Sequence, residues 1–197
     1  MSELHAADHG PWSEKEMQFA LFDWLERRGR TLILPNFTPS RWHECDMFSL
    51  TKSLFFHEVE VKVSRSDFQA DKNKREKHRI LSGDGYTEQE RYVNSIAMPW
   101  HRVPDRPPRT FVYASPAGLL GVDDMPEYAG LLHVQRFVRE NCATIYRVTI
   151  VKKPPMIRGA GKLSGEQVFQ ISNNLWYRYA GEWKKRVESM LHDPTSP

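Results

Sequence analysis

ECDMFSLTKSLFFHEVEVKVSRSDFQADKNKREK, residues Glu44 to Lys77, is the stretch on which the reading of this chain turns. From Phe55 to Ser64 it alternates, with Glu58, Glu60 and Lys62 on one side and Val59, Val61 and Val63 on the other. A period of two over this length predicts a β-strand whose valine face packs against an apolar layer. The opposite face lines up two carboxylates and an ammonium, which a solvated strand face would also carry. Three neighbours favour a site over that alternative. Upstream, Asp46 sits in the apolar segment Cys45–Leu50, and Thr51-Lys52-Ser53 has turn chemistry, so the two segments predict an antiparallel hairpin. A three-residue turn at Lys52–Leu54 sets Asp46 across from Glu60, whereas a slip of one residue would turn Asp46 to the valine side. Downstream, Ser64-Arg65-Ser66-Asp67 ends the strand and opens a helix, with Ser66 and Gln69 spaced as a capping box. That helix carries Lys72, Lys74, Arg75, Lys77 and Arg79. An acidic hairpin, a lysine and a basic helix together point to phosphodiester chemistry.

Composition sets the outer bounds. At 197 residues the chain is long enough for one domain with a real core, with or without an appendage. Net charge is only +3, but residues 62–79 hold seven Lys and Arg against three acids, a local +4. The basic excess therefore lies beside the acidic strand, as a polyanion-binding surface requires, although a salt-bridged helix face would look alike. Cys45 and Cys142 make no disulfide framework, and the eight histidines show no ligand spacing. The polar start MSELHAADHG lacks a signal-like apolar core, and no run approaches the ~18 residues of a membrane span. A soluble, cytoplasmic protein without membrane association is expected.

Along the chain, residues 1–12 read as a flexible lead-in and 13–155 as the α/β domain. Ser13 and Glu16 are spaced as a capping box for a helix whose stripe is Met17, Ala20, Leu21, Trp24 and Leu25, ending at Gly29. Thr31–Phe37, with Pro35, predicts an edge strand. The Gly- and Pro-bearing segment 82–109 is too long for an ordinary connection and reads as an inserted loop or flap. Its Tyr86, Tyr92, Trp100 and four arginines could grip a strand of nucleic acid or simply anchor the loop. Strands are expected at Thr110–Ala114, Leu131–Val134 and Thr144–Val151, with one helical turn between Asp123 and Tyr128. Residues 156–197 read as a Gly-rich basic linker followed by a C-terminal helix, capped by Ser164 and Gln167, that packs on the domain. Its Val168, Ile171, Leu175, Trp176, Tyr179 and Trp183 follow helical spacing, as a core face or a homodimer interface would.

Asp46 followed by Glu60-Val61-Lys62 on the next strand resembles the D…(D/E)xK signature of the PD-(D/E)XK nuclease superfamily, with Cys45 where a proline is frequent. The longer string EVKVSRSDFQADKNK, together with FVYASPAGL (Phe111–Leu119) and Ala129–Leu132, resembles the bacterial and phage-borne branch that includes MmcB-like DNA-repair proteins. That resemblance covers roughly Glu44–Arg79 and Thr110–Val134. It implies a restriction-endonuclease-like α/β fold, a mixed sheet flanked by helices, that cleaves DNA with Mg²⁺ or Mn²⁺ in DNA repair or in phage or mobile-element DNA processing. Asp46, Glu60 and the Val61 carbonyl would hold the metal, and Lys62 would orient the attacking water and balance charge on phosphorus. Glu58 and Ser64 would lie one layer out. Glu16 is open to two readings, a first-helix acid at the edge of the metal site or the capping partner of Ser13; the cap is preferred. Arg65, Lys72, Lys74, Arg75, Lys77 and Arg79 are the candidate DNA contacts. The rival reading is a catalytically inactive nuclease-fold module that binds nucleic acid; the intact Asp46, Glu60 and Lys62 argue against it.

Overall fold

The computed structural model describes residues 5–6, 10–39, 42–83, 107–138 and 144–192. The chain divides into two units, Met1–Lys162 and Leu163–Pro197.

The first unit is an α/β layer structure around a mixed seven-stranded sheet. Strand β1 is His5–Ala6, followed by α1 at Glu14–Arg27. Three strands come next, β2 at Leu32–Phe37, β3 at Cys45–Leu50 and β4 at Phe56–Val61. Two short helices follow, α2 at Arg65–Asp71 and α3 at Arg75–Ser82. The unit continues with β5 at Phe111–Pro116, a 3-10 turn at Val122–Asp124, β6 at Ala129–Val138 and β7 at Thr144–Lys152. Across the sheet the order is β2-β3-β4-β5-β6, with β6 also pairing with β1 and β7. β2, β3 and β4 form an antiparallel meander, and β4, β5 and β6 run parallel. A parallel step needs a crossover, and the segment holding α2 and α3 supplies it between β4 and β5.

The hairpin register follows from its turn. Thr51 N–H donates to the Phe55 carbonyl at 3.0 Å, closing a three-residue turn in which Leu54 takes φ 64°. The ladder then pairs Phe48 with Glu58 and Met47 with Val59, which is the parity that keeps Asp46 on the glutamate side. On the other side Met47, Val59 and Val61 join Val112, Ala114, Leu132 and Val134 beneath Met17, Ala20, Leu21 and Leu25 of α1. Ser13 starts α1, its side chain accepting from the Glu16 N–H, and Gly29 ends it at φ 71°. The opposite sheet face lies under α2 and α3, where the Phe68 ring meets Tyr113 edge-on at 5.1 Å.

Several expectations change. Ser64, rather than Ser66, caps α2 by accepting from the Asp67 N–H at 3.1 Å, and the single predicted basic helix is broken into two at Lys72–Lys74. β6 is ten residues long where a four-residue strand was expected, because it gains pairing from β7 along its length and from β1 at its end. The expected lead-in contributes His5–Ala6 to the sheet. Residues 84–106, which make up most of the expected flap, lie outside the described residues. In the second unit, α4 spans Gly165–His192, and its capping box is complete. Gln167 N–H donates to Ser164 Oγ at 3.2 Å, and Ser164 N–H donates to Gln167 Oε1 at 2.9 Å. Among the described residues no helix is long and apolar enough to cross a membrane.

Gly130 in β6 marks a close crossing. A Cβ there would meet Pro154 Cδ and N at 2.8 Å and the Lys152 carbonyl at 2.9 Å. Gly130→Ala is therefore expected to lower stability by about 1–3 kcal/mol, the usual range for overpacking, read as a fall in Tm by circular dichroism. An unchanged Tm would mean that the Lys152–Pro154 segment yields freely.

Candidate functional site

The polar face of β4 is not solvated. Glu58, Glu60 and Lys62 are 0 %, 1 % and 3 % exposed, because α2 and α3 close over them. Isolated buried ions would be prohibitive, and here they are paired. The break between α2 and α3 brings Lys74 and Lys77 onto the same carboxylate. Glu60 Oε1 faces Lys62 Nζ at 3.1 Å and Lys74 Nζ at 2.5 Å, and its Oε2 faces Lys77 Nζ at 2.7 Å. Lys77 also meets Glu58 Oε1 at 2.6 Å, while Glu58 Oε2 accepts from Trp42 Nε1 at 2.6 Å. Asp71, the last residue of α2, accepts from the Tyr113 hydroxyl at 2.6 Å and faces Lys74 at 2.9 Å and Lys62 at 3.3 Å. His78 Nε2 lies 3.3 Å from Asp71 Oδ2, and its Nδ1 lies 2.7 Å from the Tyr128 hydroxyl.

Three carboxylates and three ammoniums thus balance within one buried network. Burial pushes the Glu58 carboxyl up in spite of Lys77. For Glu60 burial acts the same way, but Lys77 and Lys62 outweigh it and hold the group below its ordinary value. Asp71 is held far lower still: burial opposes this, but hydrogen bonds from His78, Tyr113 and Lys74 prevail. Burial depresses Lys62, Lys74 and Lys77, but their carboxylate partners overcome it and raise all three.

Asp46 stands apart from this balance. The β3–β4 ladder ends at Met47 and Val59, and beyond it Val61 N–H donates to Asp46 Oδ2 at 2.7 Å, so a side chain stands where a β3 carbonyl would have accepted. Gln18 of α1 pins the splayed strands. Its Nε2 lies 3.2 Å from the Asp46 carbonyl, 2.7 Å from Asn36 Oδ1 and 2.9 Å from Glu14 Oε1, and its two N–H groups are shared among the three. Burial, and then the charge of Glu60, lift the Asp46 carboxyl to about 7, with Glu14 adding to the lift and the Val61 N–H and Lys62 opposing it. Repulsion among Asp46, Glu60 and Glu14 is a charge excess that a cation would relieve.

The structure therefore gathers Asp46, Glu60, Val61 and Lys62 at one end of β4, with Glu58 behind them in the network. Ser64 is occupied as the α2 cap. Glu16 is placed elsewhere, since its carboxylate accepts from Arg136 at 2.6 Å and from the Tyr146 hydroxyl at 3.0 Å. Glu14 is the first-helix acid beside Asp46. Its sequence signal was its spacing from Gln18, Leu21 and Leu25, which continues the buried stripe of α1. Lys77 does not belong to a nucleic-acid surface as its helix suggested, because its side chain is wholly enclosed between Glu58 and Glu60. Lys74 is half exposed and committed to Glu60 and Asp71. Arg65, Lys72, Arg75 and Arg79 remain exposed, with Arg65 against Asp124 at 3.3 Å. Trp42, Tyr113 and Tyr128 also enter the site without a sequence signal.

Whether the residues suit a hard cation rests on their chemistry. Among the described residues no three Asp, Glu, His or Cys side chains form a ready cage. Mg²⁺ nonetheless binds commonly through one or two carboxylates and keeps several waters, and an acid lifted to about 7 by burial and by the charge of Glu60 fits that role. Asp46, with Glu60 and the main chain at Val61, would hold it.

No family model matches the chain, and no curated protein matches it. Among solved structures, a protein of unknown function from Silicibacter pomeroyi is similar, with a TM-score of 0.50 and 18 % identity over 97 % of this chain and 98 % of that one. Similarity at this level speaks for the fold alone.

Two outcomes test this description. Lys77→Met leaves Glu58 and Glu60 short of a buried partner and should lower stability by about 3–5 kcal/mol, measured by urea unfolding. Asp46 has the opposite sign. Its folded carboxyl binds a proton more tightly than the unfolded one, so its contribution falls as pH rises from the ordinary Asp range to about 7. Asp46→Asn, which keeps an acceptor for Val61, should raise Tm clearly at pH 8 and much less at pH 5. A gain independent of pH would reject the raised carboxyl.

Proposed function

We propose that this chain is a metal-dependent DNA nuclease of restriction-endonuclease-like fold, hydrolysing phosphodiester bonds with Mg²⁺ or Mn²⁺ in DNA repair or in phage or mobile-element DNA processing. The observation that carries the reading is Asp46, a carboxyl lifted to about 7 at a break in the sheet ladder, beside Glu60 and Lys62. The mixed sheet with helices on both faces and the string EVKVSRSDFQADKNK support it together.

A hard divalent cation bound there supplies charge neutralisation at a phosphate and a more acidic bound water. Lys62 keeps its proton at neutral pH, since Glu60 and Asp71 raise its pKa. Its role is thus that of a fixed positive charge and donor, not a general base. Asp71 stays ionised and holds Lys62 in place from 3.3 Å. The exposed Arg65, Lys72 and Arg75 lie on the two helices that cover the site, where they would contact DNA phosphates and give salt-dependent affinity.

One observation favours the second reading, a module that binds nucleic acid without cutting it. Both oxygens of Glu60 already face lysines, so its charge is met within the protein. Purified protein incubated with plasmid and single-stranded DNA in Mg²⁺, Mn²⁺ or EDTA separates the two. Cleavage is expected with either metal, none in EDTA, and a loss of at least 100-fold for Asp46→Ala with DNA binding kept. Binding without cleavage under every metal establishes the second reading, and wild-type rates from Asp46→Ala overturn the assignment of the site.

A further inference from the structure

Helix α4 presents an apolar seam with a seven-residue period. Phe169, Trp176, Trp183 and Met190 are spaced by seven and are 64 %, 62 %, 55 % and 64 % exposed. Four residues after the first three come Asn173, Ala180 and Val187, so the helix reads as a heptad with the large residues at d and the smaller ones at a. On a straight helix such a stripe drifts by about 20° per heptad, and supercoiling around a partner is what keeps it in contact. The helix is 28 residues long and opens on a complete capping box, so it brings the whole seam in one rigid piece.

We propose that α4 pairs with α4 of a second copy of this chain in a parallel two-stranded coiled coil. A strict period of seven over this length calls for another long helix of the same period, which this chain itself supplies. The layers are complementary in size, with Trp176 beside Asn173, Trp183 beside Ala180 and Met190 beside Val187. Asn173 at an a position favours a parallel, in-register pair. The flanking g and e positions agree. Across a parallel pair they oppose Ser172 to Tyr177, Tyr179 to Lys184 and Arg186 to Leu191, and no like charges meet. Aromatic side chains bury about 150–250 Å² each when fully covered. With Tyr177 and Tyr179 at 73 % and 64 % exposed, the five aromatics offer roughly 480–800 Å² per partner, which Met190 and Leu191 enlarge, against about 800 Å² for a standard stable interface. This proposal is independent of the chemistry assigned to Asp46.

Light scattering on the full chain between about 1 and 100 µM tests it, a span that brackets ordinary stable dimers. The mass should be twice the 23.1 kDa of one chain. Trp176→Glu with Trp183→Glu should give a monomer that retains the wild-type far-ultraviolet spectrum of the sheet, and Ala180→Leu should shift the dissociation to at least tenfold lower concentration. Asn173→Cys should form a disulfide-linked dimer under mild oxidation that wild type does not. A wild-type monomer at 100 µM overturns the proposal. So does a dimer indifferent to the tryptophan changes, a failure of Asn173→Cys to cross-link, or tryptophan changes that abolish DNA binding while leaving the mass unaltered.

Discussion

The Glu60 carboxylate, held by three lysines in the interior, is the interaction on which the first unit depends. A strand that alternates apolar and ionic residues has one face that buries readily and one that does not. β4 lies between β3 and β5 with α1 on one face and α2 and α3 on the other, so neither face stays in water. The chain resolves this by folding the crossover after β4 back over the ionic face and supplying counter-charges from it. Lys74 and Lys77 reach Glu60 only because the helix is interrupted between Asp71 and Arg75. Tyr113 on β5 and Trp42 before β3 then satisfy carboxylate oxygens that the lysines leave open. The ionic network thus does for the α2–α3 face what the methionine, leucine and valine cluster does beneath α1. Removing one ion from it would strand another, whereas an apolar core loses only contact.

That balance makes Asp46 conspicuous. Glu60 sits below its ordinary pKa and Asp46 well above, although both carboxyls lie at the same end of one hairpin. The difference comes from partners. Glu60 faces three ammoniums from β4 and α3, while Asp46 faces a main-chain N–H and two further acids. The splay of β3 from β4 is what puts a side chain there, and Gln18 holds the splay open by bridging α1 to β2 and β3. These hydrogen bonds fix the main-chain splay that positions Asp46, whereas both oxygens of Glu60 face lysines.

How far the sequence foretold this depends on what each pattern encodes. Parity encodes direction, so the valine and glutamate faces of β4 and the side on which Asp46 projects were legible from residues 44–64. Parity does not encode cover, which is why an ionic face could read as solvated when α2 and α3 enclose it. The break at Lys72–Lys74 has no glycine or proline to announce it, and it is the break that separates buried Lys77 from exposed Lys72. In α1 the local rule and the tertiary one competed for two acids. The Ser13–Glu16 spacing marked a cap, and the structure does use the Glu16 N–H for it. The Glu16 carboxylate, however, goes to Arg136 and Tyr146, residues more than a hundred positions away that no local pattern reaches. Glu14, on the stripe of Gln18, Leu21 and Leu25, is the one carried toward Asp46.

The C-terminal helix shows the same limit from the other direction. Its aromatic spacing announced an amphipathic face but not what that face meets, since a period near 3.6 serves a core and an interface equally. The finer distinction between 3.6 and 3.5 is what separates them, and it needs the length of the helix to be known. Over 28 residues a 3.6-fold stripe stays on one line, whereas residues spaced by seven wander about 60° around a straight helix. Val168, Ile171 and Leu175 make a stripe of only two turns, which fits either period, and Ile171 is buried. Phe169, Trp176, Trp183 and Met190 are spaced by seven and are exposed. A short stripe with a buried member and a long exposed one of period seven have different physical demands, and only the second calls for a partner that can coil with it.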